Sequence, residues 1–388
     1  LAGRTTTDVC ADCGEPNEPV SVAFHRLVKL NFYRLLRRRL GMAATPWGIL
    51  HGIRPAKIVH RWLDQGIPIN VIAERLHHRY DVSSEKAALL IAVALHQRPF
   101  LFPTSAKDVS IYIGIPFCLS RCLYCSFPSY LLPRDDELYV FLRTIGKEVA
   151  AVRASLDRYG LRVQNIYIGG GTPTSLPDKF FAEMMAMVRD AFYHSAVREF
   201  TVEAGRPDSL SPHKIQTMIA AHVNRVSVNP QTMQAQTLRR IGRHHTPEDI
   251  VTMYRALRAA GIPSINMDVI LGLPGETRSD VADTMAKVLA LAPDDVTLHS
   301  LALKRGSKLK MHLEEYELPN DAEVQAMFRT AMEQVQDEGF LPYYLYRQGY
   351  MSGQMENVGC ARPGAESMYN MQIMDEHQTI LGIGCAAT

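Results

Sequence analysis

Long apolar runs are missing from this chain: no stretch approaches the roughly 18 consecutive apolar residues of a membrane-spanning helix. We therefore expect a soluble protein with no membrane partner. An excess of either charge is missing too, since 42 Lys and Arg against 40 Asp and Glu give a net charge of +2. No global field draws nucleic acid or an anionic surface, so any basic patch has to be local. The seven cysteines are odd in number and unevenly spaced, which does not suit the disulfide framework of a small secreted domain. A reducing, anaerobe-tolerant cytoplasm is the expected compartment. A charged start followed by an apolar signal core is also missing, and the chain opens on Leu1 instead of Met, so we read it as a fragment or a processed chain. Apolar material is plentiful at 47% of 388 residues, enough for two or three domains with a sizeable core; a globular enzyme is the default.

The stretch Ile111-Tyr112-Ile113-Gly114-Ile115-Pro116-Phe117-Cys118 reads as an apolar strand running into a loop. That loop carries Cys118, Cys122 and Cys125, with three and then two residues between them. Iron–sulfur clusters are usually held by four thiolates. A compact set of three therefore implies a [4Fe-4S] cluster with one iron left open, and an open iron can bind a small molecule. A structural zinc site completed by a distant His or Cys is the plainer alternative. Inert buried thiols are another, although three in eight residues on a loop fill a core poorly.

Residues 1–20 hold Cys10 and Cys13 among Gly14, Pro16 and Pro19; with no second pair nearby they read as a flexible tail more readily than as half a zinc site. Residues 21–105 form a helical N-terminal domain, with apolar residues at three- and four-residue steps in Val22–Leu40 and Glu85–Leu95. Arg34, Arg37, Arg38 and Arg39 read as a solvated face. The run Pro46–Lys57 has turn chemistry and then a fresh helix start, and Pro99 with Pro103 breaks the last helix. Beyond Asp108, strands at 109–115, 163–168, 198–203, 224–229, 264–270 and 295–301 alternate with helices at about 135–159, 177–192, 211–221, 247–260 and 278–291. Six parallel strands with crossover helices make an α/β fold, a partial (β/α)6 TIM-like barrel over 106–310. Residues 311–388 follow as a short α+β C-terminal segment. The chemistry belongs at the strand C-terminal ends.

That rim is where the remaining motifs fall. Gly169-Gly170-Gly171-Thr172-Pro173 follows the second strand, and glycines there let a ligand approach bare backbone. The run lacks the G-x-G-x-x-G spacing of a dinucleotide site and suits a contact to a ligand ammonium better. Glu203 ends strand three, Gln231 strand four, and Asp268 lies at the mouth of strand five. A carboxylate at such a mouth has to find a partner or water, and Arg243 is able to pair bidentately with one. Satisfied rim ion pairs are the plain reading of each. His244 and His245, adjacent in sequence, cannot face one way on a helix and are read as surface or rim.

Taken together, Tyr112-x-Gly114-Ile115-Pro116-Phe117-Cys118, the cysteine spacing with aromatic Tyr124, the GGGTP run, Glu203, Gln231 with Arg243, and Asp268-Val269-Ile270-Leu271-Gly272-Leu273-Pro274 resemble the radical S-adenosylmethionine superfamily. The likeness is to its oxygen-independent coproporphyrinogen III oxidase (dehydrogenase) branch, over about 109–388. Pro46–Lys57 and Tyr343–Met351 resemble the subgroup with a helical N-terminal extension. The resemblance implies Cys118, Cys122 and Cys125 as ligands of a [4Fe-4S] cluster. It implies an S-adenosylmethionine pocket from Tyr112, Tyr124, Gly170, Gly171, Thr172, Glu203, Gln231, Arg243, Asp268 and Ala302; Tyr112 and Ala302 read only as core otherwise. The activity it implies is oxidative decarboxylation of coproporphyrinogen III propionates to vinyl groups through a 5′-deoxyadenosyl radical. A tetrapyrrole is the implied substrate and a flavodoxin or ferredoxin the implied electron donor; no nucleic acid is expected. Arg243, Arg347 and Arg54 are candidate cations for substrate carboxylates. Two departures stand out. Phe127 occupies the position where some relatives carry a further cysteine tied to a second cofactor molecule, and the chain ends at Thr388, where relatives continue into a substrate-covering domain. The rival readings are chemistry on another tetrapyrrole, such as haem methylation or ring opening, and a haem carrier without turnover.

Overall fold

A computed structural model describes residues 18–103 and 105–387; the Cys10–Cys13 pair lies outside them. Four helices come first: α1 (Val20–Leu40), α2 (Ala56–Asp64), α3 (Ile69–Tyr80) and α4 (Ser84–Leu101). Pro99 does not break α4, contrary to the sequence expectation; it lies inside the helix. Three residues from the end, it forfeits a single backbone hydrogen bond, and the helix stops where Phe102, preceding Pro103, turns extended at φ −122°, ψ 143°. Arg34 and Arg37 are not merely solvated, since both pair with Asp81 at 3.0 and 2.8 Å and tie α1 to the end of α3.

After Asp108 the chain runs β1 (Asp108–Ile115), β2 (Phe117–Cys118), β3 (Tyr130–Leu131), α5 (Asp135–Tyr159), β4 (Arg162–Gly170), α6 (Asp178–Phe192), β5 (Glu199–Glu203) and α7 (Pro212–Ala220). It continues through β6 (Arg225–Gln231), α8 (Ala235–Arg240), α9 (Pro247–Ala259), β7 (Ser264–Leu271), α10 (Arg278–Leu289) and β8 (Asp295–Ser300). The remaining elements are α11 (Lys308–Met311), α12 (Asp321–Asp337), β9 (Leu341–Tyr346), β10 (Asn357–Ala361), α13 (Met368–Asp375) and β11 (Thr379–Ile383). Local chemistry sets these boundaries. Ser211, Thr246 and Thr277 accept backbone N–H groups as N-caps of α7, α9 and α10, and Gly160 closes α5 in the left-handed region at φ 59°.

Nine strands make one open sheet in the order β11-β1-β4-β5-β6-β7-β8-β10-β9. The middle six pair in parallel and form the partial barrel. The C-terminal segment does more than follow them. Its β11 adds in parallel to β1, and its β10 and β9 add antiparallel beyond β8, so it builds both edges of the sheet. Among the described residues no helix is long and apolar enough to cross a membrane.

Alternation along the six strands decides what each face holds. Ile111, Ile113, Ile166, Ile168, Val226, Val228, Met267 and Leu298 are fully buried in the main apolar core. The opposite positions are polar and meet across the strands. Asn165 Nδ2 donates to Ser110 Oγ at 2.9 Å, Asn266 Nδ2 to Ser227 Oγ at 2.9 Å, and Thr297 Oγ1 to Asn266 Oδ1 at 3.1 Å. At the N-terminal end of the barrel Arg225 and Asp295 pair, with Tyr343 OH donating to the same carboxylate at 2.7 Å. The inner face therefore carries a buried polar network, with an ion pair at the strand N-termini.

Candidate functional site

Where β1 ends, the chain enters the cysteine loop, and several elements pin it. The β2–β3 pairing holds its two ends, with Tyr130 N–H donating to Pro116 O at 2.7 Å. Leu123 N–H donates to Ile241 O at 2.9 Å, and Leu123 O accepts from Leu309 N–H at 2.9 Å. Arg206 donates through Nη1 to Ser120 O at 3.1 Å and Oγ at 2.7 Å while its other nitrogens hold Asp208 bidentately. Cys122 is buried, and Cys118 and Cys125 are half-buried; none forms a disulfide. Burial pushes the Cys125 thiol pKa up, the backbone N–H of Phe127 pulls it down, and Cys122 and Cys118 push it up again. The three sulfurs therefore share one electrostatic space.

The glycine run abuts this loop from β4. Gly171 N–H donates to Ile115 O and Thr172 N–H to Phe117 O, both at 2.7 Å, and Thr172 Oγ1 lies 3.5 Å from Cys118 Sγ. A Cβ at Gly171 would stand 2.5 Å from Phe117 O and 3.0 Å from Cys118 Sγ; one at Gly170, whose φ is +109°, would stand 2.7 Å from Ile115 O. Both approaches require glycine. Gly171→Ala is accordingly expected to keep the fold but shift the cysteine loop, lowering affinity for a ligand of that loop by about 10-fold or more. Circular dichroism alongside iron and ligand titration checks this; undiminished binding counts against the cradle.

Gln231 at the end of β6 and Arg243 after α8 each have a buried polar atom with no partner. Gln231 sits at φ 66° where the register against β7 shifts between Val228 and Gln231, a bulge that re-aims its side chain; its Oε1 is buried and unpartnered. Arg243, only 5% exposed, donates to the carbonyls of Gly205 and Asn229 and, at 3.1 Å, to Tyr124 OH, leaving Nε buried without a partner. Burial opposes its charge, but Tyr124 and Cys122 beside it hold the guanidinium pKa above its ordinary value. An acceptor and a donor left open in one wall are what a polar ligand satisfies. The three thiols on one loop, the glycine approaches and these two atoms fit a cluster with a small zwitterionic ligand.

Two carboxylates complete the rim and differ in state. Glu203 accepts from Tyr167 OH at 2.7 Å; burial raises its pKa to about 7, Tyr167 opposes this and Asp268 adds to it. Burial likewise works against ionised Asp268, but His299 and Asn266 prevail and lower its pKa. Asp268 accepts from Asn229 Nδ2 at 2.6 Å and Asn266 Nδ2 at 2.7 Å, with His299 Nε2 at 3.6 Å. Tyr112 stacks with Tyr167 and Tyr369 at centroid distances of 6.0 and 6.3 Å, so it lies on the same face of the sheet as Tyr167. Ala302 is half-buried just past β8, bridged to Met351. The structure thus brings the sequence candidates to one rim. Sequence reasoning missed Tyr167, His299 and Arg206, although a Tyr between Ile166 and Ile168 and a His on β8 are visible as polar breaks in apolar strands. His244 is exposed as expected, whereas His245 is buried, lining a cavity between α7 and α9: the turn into α9 folds it inward. Arg54 pairs with Glu376 at 3.0 Å, and Arg347 lies over Trp47 and donates to Leu50 O at 2.7 Å.

Residues 112–288 match the family model of the Radical SAM superfamily, and the chain belongs to that superfamily. More narrowly, it is 38% identical over 364 residues to the oxygen-independent coproporphyrinogen-III oxidase-like protein HemZ of Bacillus subtilis, covering 92% of this chain and 72% of that one. It is 30% identical over 281 residues to the heme chaperone HemW of Bacillus subtilis, covering 72% and 70%. Among solved structures, coproporphyrinogen III oxidase (HemN) from Escherichia coli, a radical SAM enzyme, superposes with a TM-score of 0.59 at 22% identity over 75% of this chain and 66% of that one. That likeness shows the fold. The superfamily implies a [4Fe-4S] cluster and S-adenosylmethionine.

Proposed function

We propose that this chain is a radical S-adenosylmethionine oxidoreductase that converts propionate side chains of coproporphyrinogen III to vinyl groups, giving protoporphyrinogen IX. The observation carrying the reading is the three-thiol loop pressed against Gly171, with unpartnered Gln231 Oε1 and Arg243 Nε in the adjoining wall. Likeness to an oxidase-like protein over 92% of the chain supports the substrate class. Cys118, Cys122 and Cys125 hold the cluster. Gly170, Gly171 and Thr172 present backbone to the cofactor's methionine end, with Arg243 and Gln231 on its polar atoms. Glu203 and Asp268 take its ribose hydroxyls, with Tyr112, Tyr124 and Ala302 lining the pocket. When bound, the cluster and cofactor supply hydrogen-atom abstraction. The chain's own work is to orient substrate and exclude water. Arg54, Arg347 and Arg243 are all already engaged within the chain, so none of the three sequence candidates is set aside for substrate carboxylates. An external electron donor, a flavodoxin or ferredoxin, supplies the electron that the cofactor's cleavage consumes, and each vinyl group formed releases carbon dioxide and one electron to an external acceptor.

Glu203 makes this pocket pH-sensitive. Its folded pKa of about 7 lies above its ordinary carboxylate value, so the neutral form dominates below pH 7 and the anion above. A ribose hydroxyl donates better to the anion, so cofactor binding is expected to release a proton and to tighten as pH rises through about 7. Calorimetric titration across that range checks it, with Glu203→Gln flattening the profile. A flat profile for the unaltered chain removes the role.

Anaerobic reconstitution with reductant, S-adenosylmethionine and coproporphyrinogen III, read by mass spectrometry, tests the activity; vinyl product with 5′-deoxyadenosine is expected. A second reading, a haem carrier, draws on Phe127 and on the likeness to HemW. Stoichiometric haem binding with neither product formed would favour it, and altered haem with coproporphyrinogen untouched would favour chemistry on another tetrapyrrole.

A further inference from the structure

Helix α1 is seated on the rest of the chain by a narrow strip. Of its 21 residues only Arg26 and Leu30 are buried. Polar ties hold it there: Arg26 pairs with Glu18 at 3.1 Å, Arg34 and Arg37 pair with Asp81, and Tyr33 OH lies 3.2 Å from Thr45 Oγ1. The side turned away is apolar. Val20, Phe24, Val28, Phe32, Leu36 and Leu40 recur at every fourth residue and are each 38–84% exposed. At ~100° of turn per residue, Val28 stands opposite the Arg26–Leu30 strip with Phe24 and Phe32 on either side of it, and side chains four apart are neighbours on a helix surface. The six therefore make one continuous ridge along about 30 Å of helix, and Val22 and Met42 are exposed near its two ends. Single exposed apolar residues are ordinary, whereas a contiguous ridge marks a contact surface.

The charge on this helix is of one sign. Residues 20–40 contain six Lys and Arg and no Asp or Glu. The acids at its foot, Glu18 and Asp81, are taken up by Arg26, Arg34 and Arg37, while Lys29, Arg38 and Arg39 are exposed alongside the ridge. We propose that α1 lays this ridge into the surface of an anionic lipid bilayer, with Phe24, Val28, Phe32 and Leu36 at the acyl boundary and Lys29, Arg38 and Arg39 at the lipid phosphates. Apolar side chains and cations on one outward face, with no acid among them, are the pattern of helices that lie in the plane of an anionic interface. Long basic side chains keep their charge among the headgroups while their stems sink. The ridge is convex, so a deformable surface covers its whole length; a second copy of the helix would set the same cations against themselves. The expectation of no membrane partner rests on the missing span, and a helix lying in the interface needs none.

The test is co-sedimentation of the full chain with vesicles of phosphatidylcholine alone or mixed with phosphatidylglycerol. It needs neither cluster nor tetrapyrrole, so its outcome is independent of the proposed activity. Binding to the mixed vesicles is expected to be tighter than to the neutral ones by about tenfold or more, the difference shrinking as salt rises to ~0.3 M. Phe24→Gln with Phe32→Gln should weaken binding to the mixed vesicles by about tenfold or more. Lys29→Gln with Arg39→Gln should do the same, at about fivefold for each cation near the surface. All four side chains are exposed, so circular dichroism and the denaturation midpoint should not move. Val140→Gln, which removes an exposed apolar side chain from α5, should leave binding unchanged. Failure of the unaltered chain to bind the mixed vesicles, equal binding to both kinds, or full binding by a folded Phe24→Gln, Phe32→Gln variant overturns the proposal. So does lipid-free self-association, read by light scattering, that this variant abolishes, which gives the ridge to a second copy.

Discussion

Replacing any one of Cys118, Cys122 or Cys125 by serine is expected to abolish cluster assembly, taking bound iron from about four atoms per chain to less than about one. Cofactor-dependent turnover should fall by more than the ~10–100-fold that follows loss of an outer partner of a metal ligand. The serine oxygen keeps the side-chain volume but not the soft, readily deprotonated donor that iron requires. Fold is not at stake, because the loop is held by backbone bonds to Ile241, Leu309 and Pro116 and by Arg206, none of which needs a sulfur. Cys385→Ser tests a rival ligand: Cys385 is exposed just past β11, with its neighbours Gly384 and Ala386 packed on Gly114 of β1, and iron content should not change if the trio is the ligand set. Iron and sulfide analysis of anaerobically reconstituted protein, with circular dichroism beside it, reads the result. A serine variant that retains a full complement of iron would show that the trio is not the ligand set.

The barrel was legible because its signals are local. Ile111-Tyr112-Ile113 alternates at period two, Thr246-Pro247 opens a helix with a cap and a proline, and Gly160 closes one; each acts within a few residues. The observed β1, β7 and α5 accordingly coincide with their expected spans to within a residue. What escaped is what depends on distant pairing. No pattern in Thr379–Ile383 reveals that it adds beside β1, because register between strands some 270 positions apart is chosen by the finished sheet. Gln231 was visible as a polar residue at the end of β6, but its positive φ was not, since the bulge arises only when β6 slips against β7. His299 and Tyr167 each look like isolated polar interruptions, and only the closed rim shows them holding Asp268 and Glu203. Pro99 misled because a proline near a helix C-terminus costs so little.

Lys86→Ala is expected to destabilise the seat of the helical N-terminal unit by about 3–5 kcal/mol, the range for stranding a buried charge. Lys86 and Glu356 are 3% and 0% exposed and pair at 2.7 Å. The same carboxylate accepts from Trp47 Nε1 at 2.8 Å, and the surrounding cluster joins Trp47, Val59, Trp62 and Leu90 to Leu345 of β9. The ion pair is thus the polar centre of the interface between the four helices and the edge of the sheet. Without the ammonium, Glu356 keeps one neutral donor for a charge cut off from water. Combining Lys86→Met with Glu356→Gln removes both charges and leaves Trp47 an acceptor, so the double variant should recover much of the loss. Both tryptophans of the chain, Trp47 and Trp62, are buried in the helical unit, so selectively excited tryptophan fluorescence reports that unit. In denaturant, the fluorescence of Lys86→Ala should shift at a lower concentration than the far-ultraviolet circular dichroism dominated by the barrel. Coincident transitions at the unaltered midpoint would mean that the helices are held by their apolar contacts and that the buried pair adds nothing.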